Sequence, residues 1–400
     1  MKNIIFLIFQ IFFSLIVVSF LDYKIGYKFI KEPKYIITKY DHDLRKNIKI
    51  YEKGKILYTN NYGFKSADGS SVKNKHFDIA FIGDSFTEGV GVEYQNTFVG
   101  IFHNKTNKRV INLGVSSYSP SIYLEKIKYY LDKGFKFDEV IVFIDISDIQ
   151  DEAAYYIQDE NNYIYTRKKG VVNKLYRDLH ITLIKFPLTY SLIAKLKDLI
   201  KKLIKHIDKK INHTQIEKID NNNKKINNDQ IKKTSKSSEK PESLKVDKVQ
   251  NFKRYNELSI YDYYSVGLYD YNYSRSFWTY KNDNTPYEPL KIEGGINRSL
   301  KKMKDLHNIL DKNNIKLSVG VYPWPGQILY DARNSRQVKI WSNFCLTRCY
   351  NFFNIFNFFF DEIQSTGNKN LIINKYYLQG DVHFNEAGNE VIANEILKKY

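Results

Sequence analysis

The chain has 400 residues, 43% of them apolar, enough for one large or two ordinary domains with a sizeable core. Its formal net charge is +18, but the excess is uneven: between Ser191 and Gln250 there are 16 lysines against 8 acids. A solvated linker accounts for that run better than a binding groove, which argues against nucleic acid as a partner, and two cysteines with no neighbouring histidine do not make a zinc site.

After Lys2 and Asn3 comes an apolar run, Ile4 to Leu21, interrupted only by Gln10, Ser14 and Ser19. At ~1.5 Å per residue it would reach about 27 Å, close to the hydrocarbon thickness of a bilayer. Residues 1–22 are therefore expected to be an uncleaved transmembrane anchor, with a cleaved signal peptide as the rival reading. A single N-terminal pass places the remaining chain outside the cytoplasm, in a periplasm or at a cell surface. Residues 23–75 read as a stalk and an irregular lead-in, with strand and turn character at Tyr58 to Phe64.

Phe77 to Gly89, FDIAFIGDSFTEG, begins as a short buried-strand pattern and stops at Gly83-Asp84-Ser85. Glycine permits a sharp turn there. The turn would put the Ser85 hydroxyl at the carboxyl end of a strand, where open α/β sheets keep their ligands. The spacing then predicts a helix over Tyr94 to Thr106, a second strand over Lys108 to Gly114, and a hydroxyl-rich loop, Ser116 to Ser121, that holds Tyr118. A helix over Ser121 to Asp132 and a third buried strand, Glu139 to Ile144, follow. This alternation argues for a parallel sheet covered on both faces.

Beyond Asp145-Ile-Ser-Asp148 the periodicity breaks down. Asn161 to Val172 reads as a hairpin around Lys168-Lys169-Gly170, and Leu188 to Ile211 as an amphipathic helix. Asn212 to Gln250 is poor in apolar residues and reads as a flexible insertion. Tyr255 to Tyr287 is tyrosine-rich. Order returns with a helix over Ile296 to Leu310 and a strand over Ile315 to Tyr322. The turn Pro323-Trp324-Pro325-Gly326 is expected to expose an indole at the strand's end. Ser335 to Tyr350 reads as helix, with Cys345 and Cys349 one turn apart. They are expected to be structural, and whether they are bridged is left open.

A serine hydroxyl is a poor nucleophile until a base takes its proton. His383, in Asp381-Val-His383, is the best candidate among the eight histidines, and Asp381 could hold its tautomer. His42 also stands beside acids, but in the lead-in.

Gly83-Asp84-Ser85, Gly114 after a strand, Asp145-Ile-Ser-Asp148 and Asp381-Val-His383, in that order, resemble the blocks of the SGNH (GDSL-like) hydrolase superfamily. The resemblance covers about residues 76–190 and 291–400. It implies a three-layer α/β/α flavodoxin-like parallel sheet. Ser85 would carry an acyl group, and His383 and Asp381 would complete a triad. The N–H groups of Ser85 and Gly114, with Ser147 in the third block, would form an oxyanion hole. Two residues depart from the family pattern. The usual Asp-x-x-His is Asp-x-His here, as in relatives that O-acetylate exopolysaccharides, and Ser147 stands where an asparagine is usual.

The resulting organisation is an anchor (1–22), a lead-in (23–75), a hydrolase domain in two parts (76–190 and 291–400), a helix with a Lys/Asn-rich linker (191–250) and a Tyr-rich insertion (251–290). The expected function is a membrane-anchored extracytoplasmic serine esterase acting on O-acetyl or related esters of cell-surface glycan, with Trp324 and Tyr118 facing the substrate. It needs no cofactor or metal. An O-acyltransferase with the same triad and a non-catalytic glycan-binding envelope module are the alternatives.

Overall fold

The structure is a computed structural model that describes residues 2–25, 34–52, 54–166, 188–189, 192–193, 196 and 275–400. The linker over Asn212 to Gln250, most of the expected amphipathic helix and most of the Tyr-rich segment lie outside the described residues. Two compact units divide the chain, Met1–Glu32 with Val171–Lys248, and Pro33–Gly170 with Val249–Tyr400.

In the first unit, the apolar run forms the helix α1 (Lys2–Ile25). Near its end the buried Asp22 carboxylate accepts the N–H groups of Leu188 and Thr189 and the Thr189 hydroxyl, at 2.7–2.8 Å. A helix that crosses a bilayer needs about 20 predominantly apolar residues in succession. Among the described residues no helix is long and apolar enough to cross a membrane. The expected transmembrane anchor is corrected on that finding. With it go the single-pass topology, the membrane as a partner, the extracytoplasmic placement and the cell-surface glycan setting that rested on it.

The second unit opens with strands where a stalk was expected. β1 (Tyr35–Thr38) pairs antiparallel with β2 (Asp41–Leu44), and β3 (Lys49–Glu52), β4 (Lys55–Thr59) and β5 (Lys65–Ser66) form an antiparallel sheet. Then follow β6 (His76–Ile82), α2 (Ser85–Glu88), α3 (Phe98–Lys105), β7 (Val110–Asn112), α4 (Pro120–Asp132), β8 (Lys136–Ile144) and α5 (Asp148–Gln150). β9 (Tyr156–Gln158) and β10 (Ile164–Thr166) make a hairpin earlier in the chain than expected. Its turn is set by Asp159, whose carboxylate accepts the N–H groups of Asn161 and Tyr163. The chain closes with α6 (Lys291–Lys312), β11 (Lys316–Val321), α7 (Pro325–Tyr330), α8 (Arg336–Cys345), β12 (Phe352–Asn354), α9 (Phe356–Thr366), α10 (Lys369–Tyr376) and α11 (Glu386–Leu397).

The central sheet has the order β12-β11-β8-β6-β7, and all its strands are parallel. Alternation along each strand sends side chains to two separate cores. Ala80, Ile82, Val140, Val142 and Val319 pack with Ile127 of α4, Met303 and Leu306 of α6 and Trp341 of α8. Ile79, Phe81, Ile141 and Phe143 pack on the other side with Phe98 and Phe102 of α3, Phe359 of α9 and Ile392 of α11. The chain reverses its direction of travel across the sheet after β7, and the crevice beside that reversal lies at the carboxyl ends of β6 and β8.

The expected fold class, a three-layer flavodoxin-like parallel sheet with a transmembrane helix, is corrected. Strands β1 to β5 and the β9–β10 hairpin add antiparallel sheets to the parallel one, giving a mixed parallel and antiparallel multi-sheet α/β domain. Cys345 and Cys349 are disulfide-bonded with Cα atoms 4.6 Å apart. The expected helix ends at Cys345, so Cys349 is free of the spacing a regular turn would impose.

Candidate active site

The position of Ser85 follows from three local choices at the end of β6. Gly83 fits because a Cβ there would meet Thr87 Oγ1 at 2.2 Å and the Phe143 carbonyl oxygen at 2.9 Å. Asp84 caps α2, its Oδ1 accepting the Phe86 N–H at 2.9 Å. Ser85 is thus the first residue of a helix, where an N–H has no intrahelical partner.

His383 arrives on the loop between α10 and α11. Tyr377 bridges Phe384, Leu378 N–H donates to the His383 carbonyl at 2.8 Å, and Asn385 caps α11 through Gly388 N–H. Within this loop His383 Nδ1 lies 2.6 Å from Asp381 Oδ1, and Nε2 lies 2.7 Å from Ser85 Oγ. With Asp381 ionised the ring proton sits on Nδ1, and Nε2 is left as an acceptor toward the serine. Phe86 packs on the imidazole with ring centres 4.8 Å apart. The structure therefore brings Ser85, His383 and Asp381 together, with one residue between acid and histidine.

It gives the Gly114 N–H, expected in an oxyanion hole, a partner of its own. The Gly114 N–H donates to Asn112 Oδ1 at 2.9 Å, and Asn112 in turn donates to the Thr87 carbonyl at 2.7 Å. Gly114 is required for close approach instead: a Cβ there would lie 2.7 Å from Glu88 N and from Thr87 Cβ. The Ser147 N–H donates to Asp145 Oδ1 at 2.7 Å, and its hydroxyl is the donor that was expected of this residue. The two rings expected to face substrate are also placed elsewhere. Tyr118 is fully buried, its hydroxyl donating to the His42 carbonyl. Trp324 is 4% exposed and donates Nε1–H to Asp145 Oδ2 at 2.6 Å.

Residues that no motif singled out hold the site from behind. Glu88, fully buried on α2, forms an ion pair with Lys34 at 2.8 Å and accepts the Ser116 N–H and hydroxyl at 2.7 and 2.8 Å. Lys65 donates to the Gly89 and Val92 carbonyls, and burial pushes its ammonium down to about 8. His42 bridges Asp41 Oδ2 and the Ser116 carbonyl at 2.7 and 2.8 Å. The Asp41-His42 pair was visible in the sequence. That it reaches Ser116, 74 positions away, was not.

Carboxyl groups crowd the end of β8. Burial, and then the charge of Asp145, push Asp84 well above the usual carboxylate range. Burial likewise raises Asp148, which accepts the Tyr123 hydroxyl at 2.9 Å, and brings Asp151 up to about 7 despite its ion pair with Arg275. At the other end of the sheet, His76, Asp78 and Asp138 have metal-ligand spacing, but His76 is bonded to Asp138 and Asp78 to Arg109.

Compared with models of known protein families and with curated proteins, the chain matches none.

Proposed function

We propose that this protein is a serine hydrolase of the SGNH type that cleaves ester bonds through an acyl-Ser85 intermediate. The observation that carries the reading is the unbroken chain Asp381–His383–Ser85, with both contacts under 3 Å. His383 takes the Ser85 proton as Oγ attacks the ester carbonyl, and returns it to the departing alcohol. Water, deprotonated by the same nitrogen, then releases the acid. Asp381 keeps the imidazole in the productive tautomer and stabilises it when charged. The Ser85 N–H, first in α2, is the backbone donor that the developing oxyanion meets at the nucleophile itself. What supports the family reading is the same set of blocks, now with the serine at a strand's carboxyl end and the histidine in the last loop before α11.

The test is covalent labelling with a fluorophosphonate, read by peptide mass spectrometry. The expected result is a single adduct on Ser85, absent in Ser85→Ala and strongly slowed in His383→Ala. A protein that stays unlabelled, or is labelled elsewhere, refutes the proposal.

A further inference from the structure

The nucleophile has one proton and two acceptors within reach. Ser85 Oγ lies 2.7 Å from His383 Nε2 and 3.2 Å from Asp84 Oδ2. The other Asp84 oxygen is already occupied, accepting the Phe86 N–H at 2.9 Å and the Tyr322 hydroxyl at 3.2 Å. Attack needs the serine proton on the histidine side. With the proton there, Oγ and Oδ2 would face each other with lone pairs only, unless the carboxyl itself carries a hydrogen.

Resting on the reading of Ser85 as nucleophile, we propose that Asp84 is a catalytic residue: a neutral carboxylic acid whose Oδ2–H donates to Ser85 Oγ and so leaves the serine's own proton to His383. The surroundings fit a division of charge between two buried carboxyls. Asp145, at the end of β8, accepts two strong hydrogen bonds, from the Ser147 N–H at 2.7 Å and the Trp324 indole N–H at 2.6 Å. Asp84 is 2% exposed and, besides the Ser85 contact, accepts one backbone N–H and a long contact from Tyr322. The other groups that act on it are Asp148 after β8, Tyr123 of α4 and Arg275, whose guanidinium is paired with Asp151. Burial and the neighbouring Asp145 both favour the protonated form of Asp84.

In acylation the Oγ–H bond breaks, its proton passes to His383 Nε2, and the Oγ–carbon bond forms at the ester carbonyl. Asp84 keeps its hydrogen throughout and bonds to Oγ as that atom gains charge. An ionised Asp84 would instead draw the serine proton into an unproductive bond and repel the developing charge.

The experiment measures the rate of Ser85 phosphonylation by a fluorophosphonate from mildly acid to strongly alkaline pH, in wild type and Asp84→Asn, with circular dichroism at each pH. The asparagine amide keeps an oxygen for Phe86 and Tyr322 and offers an N–H to Ser85. The wild-type rate is expected to fall at alkaline pH as Asp84 ionises, with the fold intact. Asp84→Asn is expected within about tenfold of the wild-type maximum and without the alkaline fall. A wild-type rate that stays level at high pH, a fall that tracks unfolding, or the same fall in Asp84→Asn overturns the inference. Should Asp84→Asn not fold, the wild-type alkaline limb decides by itself. Absence of labelling at every pH rejects the nucleophile and Asp84 with it, whereas labelling without the alkaline fall rejects Asp84 alone.

Discussion

His383 Nε2 lies 2.7 Å from Ser85 Oγ although 298 positions separate the two residues in the chain. The contact requires that β6 sit inside the parallel sheet and that the last loop return across its carboxyl end. If it is the working pair of an esterase, Ser85→Ala lowers p-nitrophenyl acetate turnover by on the order of 10⁴, and Asp381→Asn lowers it by about 10²–10⁴ in a protein that still folds. Steady-state kinetics on the purified variants, with unchanged circular dichroism, check both values.

Gly114 answers to space rather than to its N–H, which Asn112 holds. Gly114→Ala forces a methyl against the backbone of α2 and is expected to cost about 1–3 kcal/mol, visible as a lowered melting temperature. A variant as stable as wild type that has lost turnover would restore Gly114 to the oxyanion hole.

Glu88 supplies a pH dependence whose sign can be worked out. Burial works against its ionisation, but the Lys34 charge overcomes this and holds the folded carboxyl below the ordinary glutamate value of 4.5. The stabilisation is complete above that value and is lost as pH falls through the lower folded one. Glu88→Gln leaves Lys34 with Glu52, 2.6 Å away, as its remaining acidic partner and is expected to cost about 1–3 kcal/mol near neutral pH. Adding Lys34→Met should recover much of the loss, and urea unfolding of the two single variants and the double variant measures the coupling.

Trp324 is expected to act through Asp145 rather than on substrate. Trp324→Phe removes a donor from a buried carboxylate, for about 1–3 kcal/mol of stability, and leaves KM unchanged. A raised KM at unaltered stability would return the indole to the binding surface.

Much of the unit was legible because its information is local. The apolar runs of β6, β8 and β11 identify themselves as strands buried on both faces, and Pro120 and Ser335 mark helix starts that the structure keeps. The lead-in was misread because β1 to β5 are two to five residues long, too short for alternation to separate them from irregular chain. The anchor was read from hydropathy along the sequence, whereas among the described residues no helix is long and apolar enough to cross a membrane.

The types and order of Ser85, Asp381 and His383 were determined by the sequence alone, because a serine after a strand-ending glycine and an Asp-x-His before a capped helix are local patterns. Tertiary structure decided which donors are already paired and which carboxyls become neighbours. Asn112 takes the Gly114 N–H, Asp145 takes that of Ser147, and Asp84 comes to face Ser85 beneath Tyr322. A hydrogen bond is exclusive and a buried charge depends on its neighbours, and both are settled by atoms that only the folded chain brings within 3 Å or so.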